Sequence, residues 1–182
     1  QIKKALTTHL ANEAPRDRNV FLEELRLHGG EIRADLVHVG DMHCYEIKSE
    51  ADSLARLVNQ GSRYVRFFDR VTLVMAERHL AKAMALLPPW WGAMGFDPGN
   101  GEFTTIRKAA VNVGQTASSL ASVLTRDEAL QILEELGQAK GFRSKSLYLI
   151  QQHLARAVVL DEIKHHIRNV LLARAERALS FH

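Results

Sequence analysis

Asp35, Glu46 and Lys48 are the residues of this chain whose types and spacing could do chemistry. They stand in the stretch Arg33-Ala-Asp35-Leu-Val-His-Val-Gly-Asp-Met-His-Cys-Tyr-Glu46-Ile-Lys48, in which two apolar runs flank a Gly40-Asp41 pair. Side chains alternate across a strand, so Glu46 and Lys48 share one face while Ile47 takes the other. Charges on an otherwise apolar strand are costly to bury unless something pairs with them. A hairpin turning at Gly40-Asp41 brings Asp35, on the neighbouring strand, close to Glu46. Two converging carboxylates make a hard-oxygen site suited to Mg²⁺ or Mn²⁺, with other positions left to water and phosphate. Such an ion lowers the pKa of a bound water and acts as a Lewis acid. Lys48 beside it can orient the water or stabilise charge developing on a phosphate. The chemistry this set suits is phosphodiester hydrolysis; the plainer alternative is an ion pair at a sheet edge.

The elements that must position these residues follow from pattern. Ile2 to Leu10 reads as a helix, and Val20 to Leu27 has apolar residues at helical spacing, closed by His28-Gly29-Gly30. Ile32 to Val39 and Met42 to Lys48 read as the two strands of the hairpin. Ser49 to Phe68 carries a helical apolar stripe, Arg70 to Met75 reads as a buried strand, and Glu77 to Leu87 as a helix ended by Pro88-Pro89. Asp97-Pro-Gly-Asn-Gly101 is a turn between two further strands, Trp91–Phe96 and Glu102–Arg107. Beyond Ala109 the pattern is helical, with Thr125 as an N-cap and helices over Ala129–Leu136, Ser146–Val159 and Asp161–Leu179. The expectation is an α/β core over residues 1–110 and a helical C-terminal region over residues 111–182.

Asp35 followed by Glu46-Ile47-Lys48 after an apolar strand resembles the motif of the PD-(D/E)XK, or restriction-endonuclease-like, nucleases. Ala34 stands where that motif usually has proline. Gln60-Gly-Ser-Arg-Tyr64 resembles the Q-x-x-x-Y signature found on the helix after the E-x-K strand in several nuclease branches. RADLVHVGDMHCYEIKSEADSL, FFDRVTLVMAERHL, LLPPWWG, DEALQILEELG, GFRSK and LARAVVLDEIKHHIRNVLLAR are similar to a family of bacterial and phage proteins known by a locus-tag name beginning "sce", assigned to the same fold. The resemblance implies a mixed sheet flanked by helices, with metal held by Asp35, Glu46 and the main-chain carbonyl of Ile47. It also implies an acidic ligand on the preceding helix, for which Glu24 is the better match and Glu23 the second. Gln60 and Tyr64, one helical turn apart, would then face the site as substrate-binding residues.

Hydrophobic residues make up 46% of the 182 positions and charged residues 25%, which suits a folded domain with a real core rather than a disordered chain. The net charge is only +3, yet it is unevenly spread. Nine acidic residues face five basic ones between Glu13 and Glu50, whereas eight Lys/Arg face three Asp/Glu from Lys140 onward. An acidic patch with basic flanks suits a metal site that also holds a polyanion, so DNA is the expected partner. Arg143, Lys145, Arg168 and Arg174 are the candidates to touch phosphates, giving affinity rather than sequence specificity. A helical region that docks a protein or a second copy of the chain is the competing use of the same surface.

Cys44, the single cysteine, lies in an apolar run and reads as a buried strand residue, which excludes a disulfide framework and a cysteine-based zinc site. Trp90 and Trp91 at the Pro-Pro bend could stack on bases, but read rather as core or interface. Only His165 and Asp161 of the His165-His166 group share a helical i, i+4 spacing, so no transition-metal site is read there. No run is long enough to span a bilayer, and the first residues lack the apolar block of a signal peptide, so a cytoplasmic protein is expected. Magnesium-dependent hydrolysis of DNA is the reading these residues favour. A non-catalytic or partner-dependent binding module of a phage or defence system, using the same fold, is its rival.

Overall fold

In the computed structural model, which describes residues 2–13, 20–48 and 61–180, the extended runs between Phe21 and Arg107 join into one six-stranded sheet. Its strands β1 (Phe21–Leu27), β2 (Ile32–His38), β3 (His43–Lys48), β4 (Arg70–Ala76), β5 (Gly92–Phe96) and β6 (Phe103–Arg107) lie side by side in chain order. β1, β2 and β3 form an antiparallel meander; β4 runs parallel to β3 and β5 parallel to β4, and β6 returns antiparallel. The architecture is therefore α/β, a mixed sheet with helices and a helical C-terminal region. The chain divides into two compact units, Gln1–Val113 and Gly114–His182.

In the first unit the sheet is covered on both sides, and β4 shows it: Val71 to Met75 are all buried, as expected of a strand with parallel neighbours on each side. On one face, helix α1 (Ile2–Glu13) lays Leu6 and Leu10 onto Leu36, Tyr45, Val74 and Met94. The opposite face carries Asp35, Cys44, Glu46 and Lys48 by strand alternation. There Tyr64 stacks on Trp91 and meets the edge of Phe68, and all three rings are buried. Helix α2 (Glu77–Met84) follows β4 directly and stops short of Pro88. Gly92 on β5 has no room for a side chain: a Cβ would stand 2.5 Å from Thr72 Oγ1 and 2.8 Å from the Ala109 nitrogen.

The segment Val20 to Leu27, expected as a helix, is the edge strand β1. Phe21, Leu22 and Leu25 mimic helical spacing, but Leu25 and Leu27 are buried two residues apart, with partners Ala34 and Ile32 on β2. Glu24, just before Leu25, takes a left-handed backbone (φ 50°), which breaks the alternation that would have revealed a strand. His28-Gly29-Gly30 accordingly closes a β1–β2 hairpin through a short 3₁₀ turn and caps no helix. The expected helix over Ser49–Phe68 is described only from residue 61, where residues 61–64 form a helical turn.

The second unit contains α3 (Ala117–Ala121), α4 (Arg126–Glu135), α5 (Leu147–Ala157) and α6 (Leu160–Ser180). Thr116, Thr125 and Ser146 each accept a main-chain N–H at the start of α3, α4 and α5. Thr125 and Glu128 complete a reciprocal capping box. Leu133, Ile150, Leu154 and Ile163 are fully enclosed at the centre of the bundle, each worth roughly 1.5–3 kcal/mol of transfer free energy.

Candidate functional site

The β2–β3 register pairs Leu36 with Tyr45 and Val37 with Cys44, and its continuation sets Asp35 opposite Glu46. Directly opposite residues of an antiparallel pair point to the same face, so the two carboxylates converge. Asp35 reaches across to β3, where its Oδ2 accepts the Ile47 N–H at 2.9 Å. Lys48, two residues from Glu46 on the same face, places Nζ 2.6 Å from Glu46 Oε1. The Tyr64 hydroxyl donates to Glu46 Oε2 at 2.7 Å and stands 3.1 Å from the Arg33 carbonyl oxygen. The stack on Trp91 and the edge contact with Phe68 fix the phenol ring in that position.

Glu46 is 1% exposed. Burial pushes its carboxyl above the usual carboxylate range, and the charge of Asp35 pushes it further; Lys48 and the Tyr64 hydroxyl pull back without cancelling the rise. Burial also drives the Tyr64 phenol upward, which keeps it a hydrogen-bond donor, and raises the enclosed Cys44 thiol. Cys44 is thus a buried strand residue with no nucleophilic character.

A divalent cation fits this donor set. Two carboxylates whose charges oppose one another inside a buried strand pair are relieved by a positive ion between them. Mg²⁺ is commonly held through one or two carboxylates with water and phosphate completing its shell. Asp35 and Glu46 are the residues that would hold it, beside the Ile47 peptide. Among the described residues, no group of three or more His, Cys, Asp or Glu side chains is arranged to hold a metal ion.

Glu24 does not supply a further ligand from a preceding helix, because it lies on β1. Its carboxylate is bonded to Lys3 of α1 and to Arg33 Nε at 3.0 Å, and those cations hold it below the usual range, the Lys3 bond foremost. Glu23 lies on the same strand, paired in register with Leu36. The preceding helix is α1, and its one acid, Glu13, lies 3.5 Å from His9. Gln60 lies outside the described residues. Tyr64 does join the site, but 1% exposed, as the partner of Glu46 and not as an open contact surface. Arg143 and Lys145 belong to the second unit, where Arg143 Nη2 is 2.9 Å from Glu134. Of the other two basic candidates, Arg174 makes a two-pronged bond to Glu128 and Arg168 is half-buried.

One cluster had no counterpart in the sequence reading. On the face covered by α1, His38 Nδ1 is 2.5 Å from Asp41 Oδ1, and His43 Nε2 is 2.8 Å from Thr72 Oγ1. Burial pushes the His43 imidazole down to about 4. Burial also works to raise Asp41, but its bond to His38 and the nearby cations outweigh it and hold the carboxyl low. Three polar residues in six positions around the hairpin tip were the available signal. Their neutral or paired states make them a brace for that tip.

Fold and site together define an α/β protein with a carboxylate pair, one buried and one half-buried, and an adjoining lysine on the central hairpin. The chain belongs to the family described as bacteriophage P4 protein cII, whose model matches residues 1–180. No curated protein and no solved structure matches it. Among the described residues no helix is long and apolar enough to cross a membrane.

Proposed function

We propose that this phage-family protein is a metal-dependent nuclease that hydrolyses phosphodiester bonds in DNA within the cytoplasm, on a PD-(D/E)XK-like core. The observation that carries this reading is the convergence of Asp35 on the Glu46-Ile47-Lys48 strand, with Glu46 buried and destabilised in its charged form. A structural ion pair has no use for a second carboxylate that raises the energy of the first. Perturbed carboxylates of this kind concentrate at functional sites. Bound Mg²⁺ or Mn²⁺ would supply an activated water and charge neutralisation at the phosphate. Asp35 and Glu46 would hold the ion, and the Ile47 N–H fixes the rotamer of Asp35. Tyr64 orients Glu46 by donating to the oxygen that Lys48 does not engage. Lys48 exchanges its bond with Glu46 for the phosphate when substrate enters, and so delivers a cation to the developing charge.

The second reading, a non-catalytic or partner-dependent DNA- or protein-binding module of a phage or defence system, draws on one observation. Glu24 is spent on Lys3 and Arg33, which leaves two acidic ligands where the resemblance implies three. Purified protein with Mg²⁺ or Mn²⁺ on linear and circular DNA separates the two. Cleavage that a chelator abolishes is expected; intact DNA under both ions would favour the binding module.

A further inference from the structure

In the second unit, a recess of about 370 Å³ opens beside α5 and is lined by Phe142, Lys145, Tyr148, Gln152, His153 and Arg156, among others. From these residues we infer that it binds a short run of single-stranded polynucleotide. From Tyr148 to Arg156 they recur at the i, i+4, i+5, i+8 positions of one helix face, spanning about 12 Å along the axis at the α-helical rise. The opposite face of α5 buries Ile150 and Leu154, so the bundle uses that side and leaves this one open.

Three features select the occupant. The first is charge. Lys145 and Arg156 bracket the recess, neither has an acidic partner among the described residues, and none of the residues lining it is acidic. Two of the other basic residues expected to meet phosphates are committed elsewhere, Arg143 to Glu134 and Arg174 to Glu128. The second is ring surface. Tyr148 is 67% exposed and offers an open ring face, beside the Phe142 and His153 rings, which stack on each other at 4.1 Å. Unpaired bases stack on such surfaces whatever their sequence, while cations follow the backbone. The third is polarity along the face. A docking helix needs a continuous apolar stripe for its anchors, but here Leu149 is followed by Gln152, His153 and Arg156. An acidic peptide is the poorer fit, and a paired duplex hides the base faces that the rings would hold.

The test is fluorescence anisotropy on the full chain in chelator, with labelled oligo-dT, oligo-U and a duplex of equal length. Chelator removes any contribution from metal chemistry, so this result stands or falls apart from the nuclease reading. Single strands should bind at low salt at least tenfold more tightly than the duplex, and the relative affinities of oligo-dT and oligo-U identify the natural strand. K145E/R156E should weaken single-strand binding at least tenfold and flatten its salt dependence. Tyr148→Ala should weaken it several-fold without changing the salt slope. These positions are exposed, and an unchanged melting curve would verify that the variants fold. No single-strand binding by the wild type, equal binding by K145E/R156E, or displacement by poly-glutamate as readily as by oligo-dT would each overturn the inference.

Discussion

Glu46 with Lys48 in the sheet unit and Glu128 with Arg174 in the helical unit are both carboxylates enclosed beside a cation, yet their surroundings act in opposite directions. Glu128 takes two parallel bonds from Arg174, at 2.9 and 2.7 Å, and a third from the Thr125 N–H at 2.8 Å. Burial works against its charge, but Arg174 and the capping N–H outweigh it, and the carboxyl sits below its usual range. Glu46 has a lysine and a phenol for partners, and its nearest carboxylate is Asp35; the balance there goes upward. A pair that serves the fold satisfies its anion. At the hairpin, burial and the charge of Asp35 outweigh Lys48 and Tyr64, a balance that a bound cation would reverse.

The largest expected effect lies on the sheet side. Lys48→Ala should lower DNA cleavage by roughly 10²–10³-fold, the usual cost of removing one group that stabilises developing charge, while Mn²⁺ binding survives. Equal cleavage by the variant, measured on linear DNA, would remove Lys48 from the chemistry and reduce it to a counter-ion.

On the helical side the effect is on stability. Arg174→Ala should cost about 2 kcal/mol in a denaturant titration, because charge-assisted bonds of a half-buried pair are lost and Glu128 is left enclosed. The pH dependence carries a definite sign. Glu128 is depressed in the folded state, so its contribution is complete above the ordinary carboxylate pKa and is lost as pH falls through the folded value. Wild type should therefore lose a component of stability in acid that Glu128→Gln lacks, which parallel melting series from pH 7 to pH 3 would detect. Superimposable curves would mean the pair is not stabilising.

The smallest effect sharpens the contrast most. Glu46 is raised in the folded state, so stability present below its unfolded pKa is lost as pH rises through the folded value. Without metal, Glu46→Gln should melt a few degrees above wild type near pH 8 and at the same temperature near pH 4. A variant that melts lower at both would show that Glu46 is an ordinary structural acid.

Much of this arrangement was legible because its signals are local. Gly40-Asp41 and the Asp97–Gly101 turn fixed two hairpins, and strand alternation put Glu46 and Lys48 on one face. Thr125 and Glu128 announced the cap of α4. β1 was illegible because Glu24, at φ 50°, interrupts a two-residue period, leaving a spacing that a helix would share. The misplacement of Glu24 as a helical ligand followed from that. Arg174 looked free to meet DNA because its partner, Glu128, lies 46 residues earlier in the chain. The role of Tyr64 depends on a bond to a strand 18 residues away. Pairings of that kind depend on the third dimension.

The central claim is that Asp35 and Glu46 together hold a divalent cation. A thermal melt of wild type and Asp35→Ala across a Mn²⁺ titration tests it most directly, since a ligand that binds only the folded state raises the midpoint with concentration. The account predicts a rising midpoint for wild type and a flat one for the variant. A flat response from both, or an equal rise in both, would contradict it.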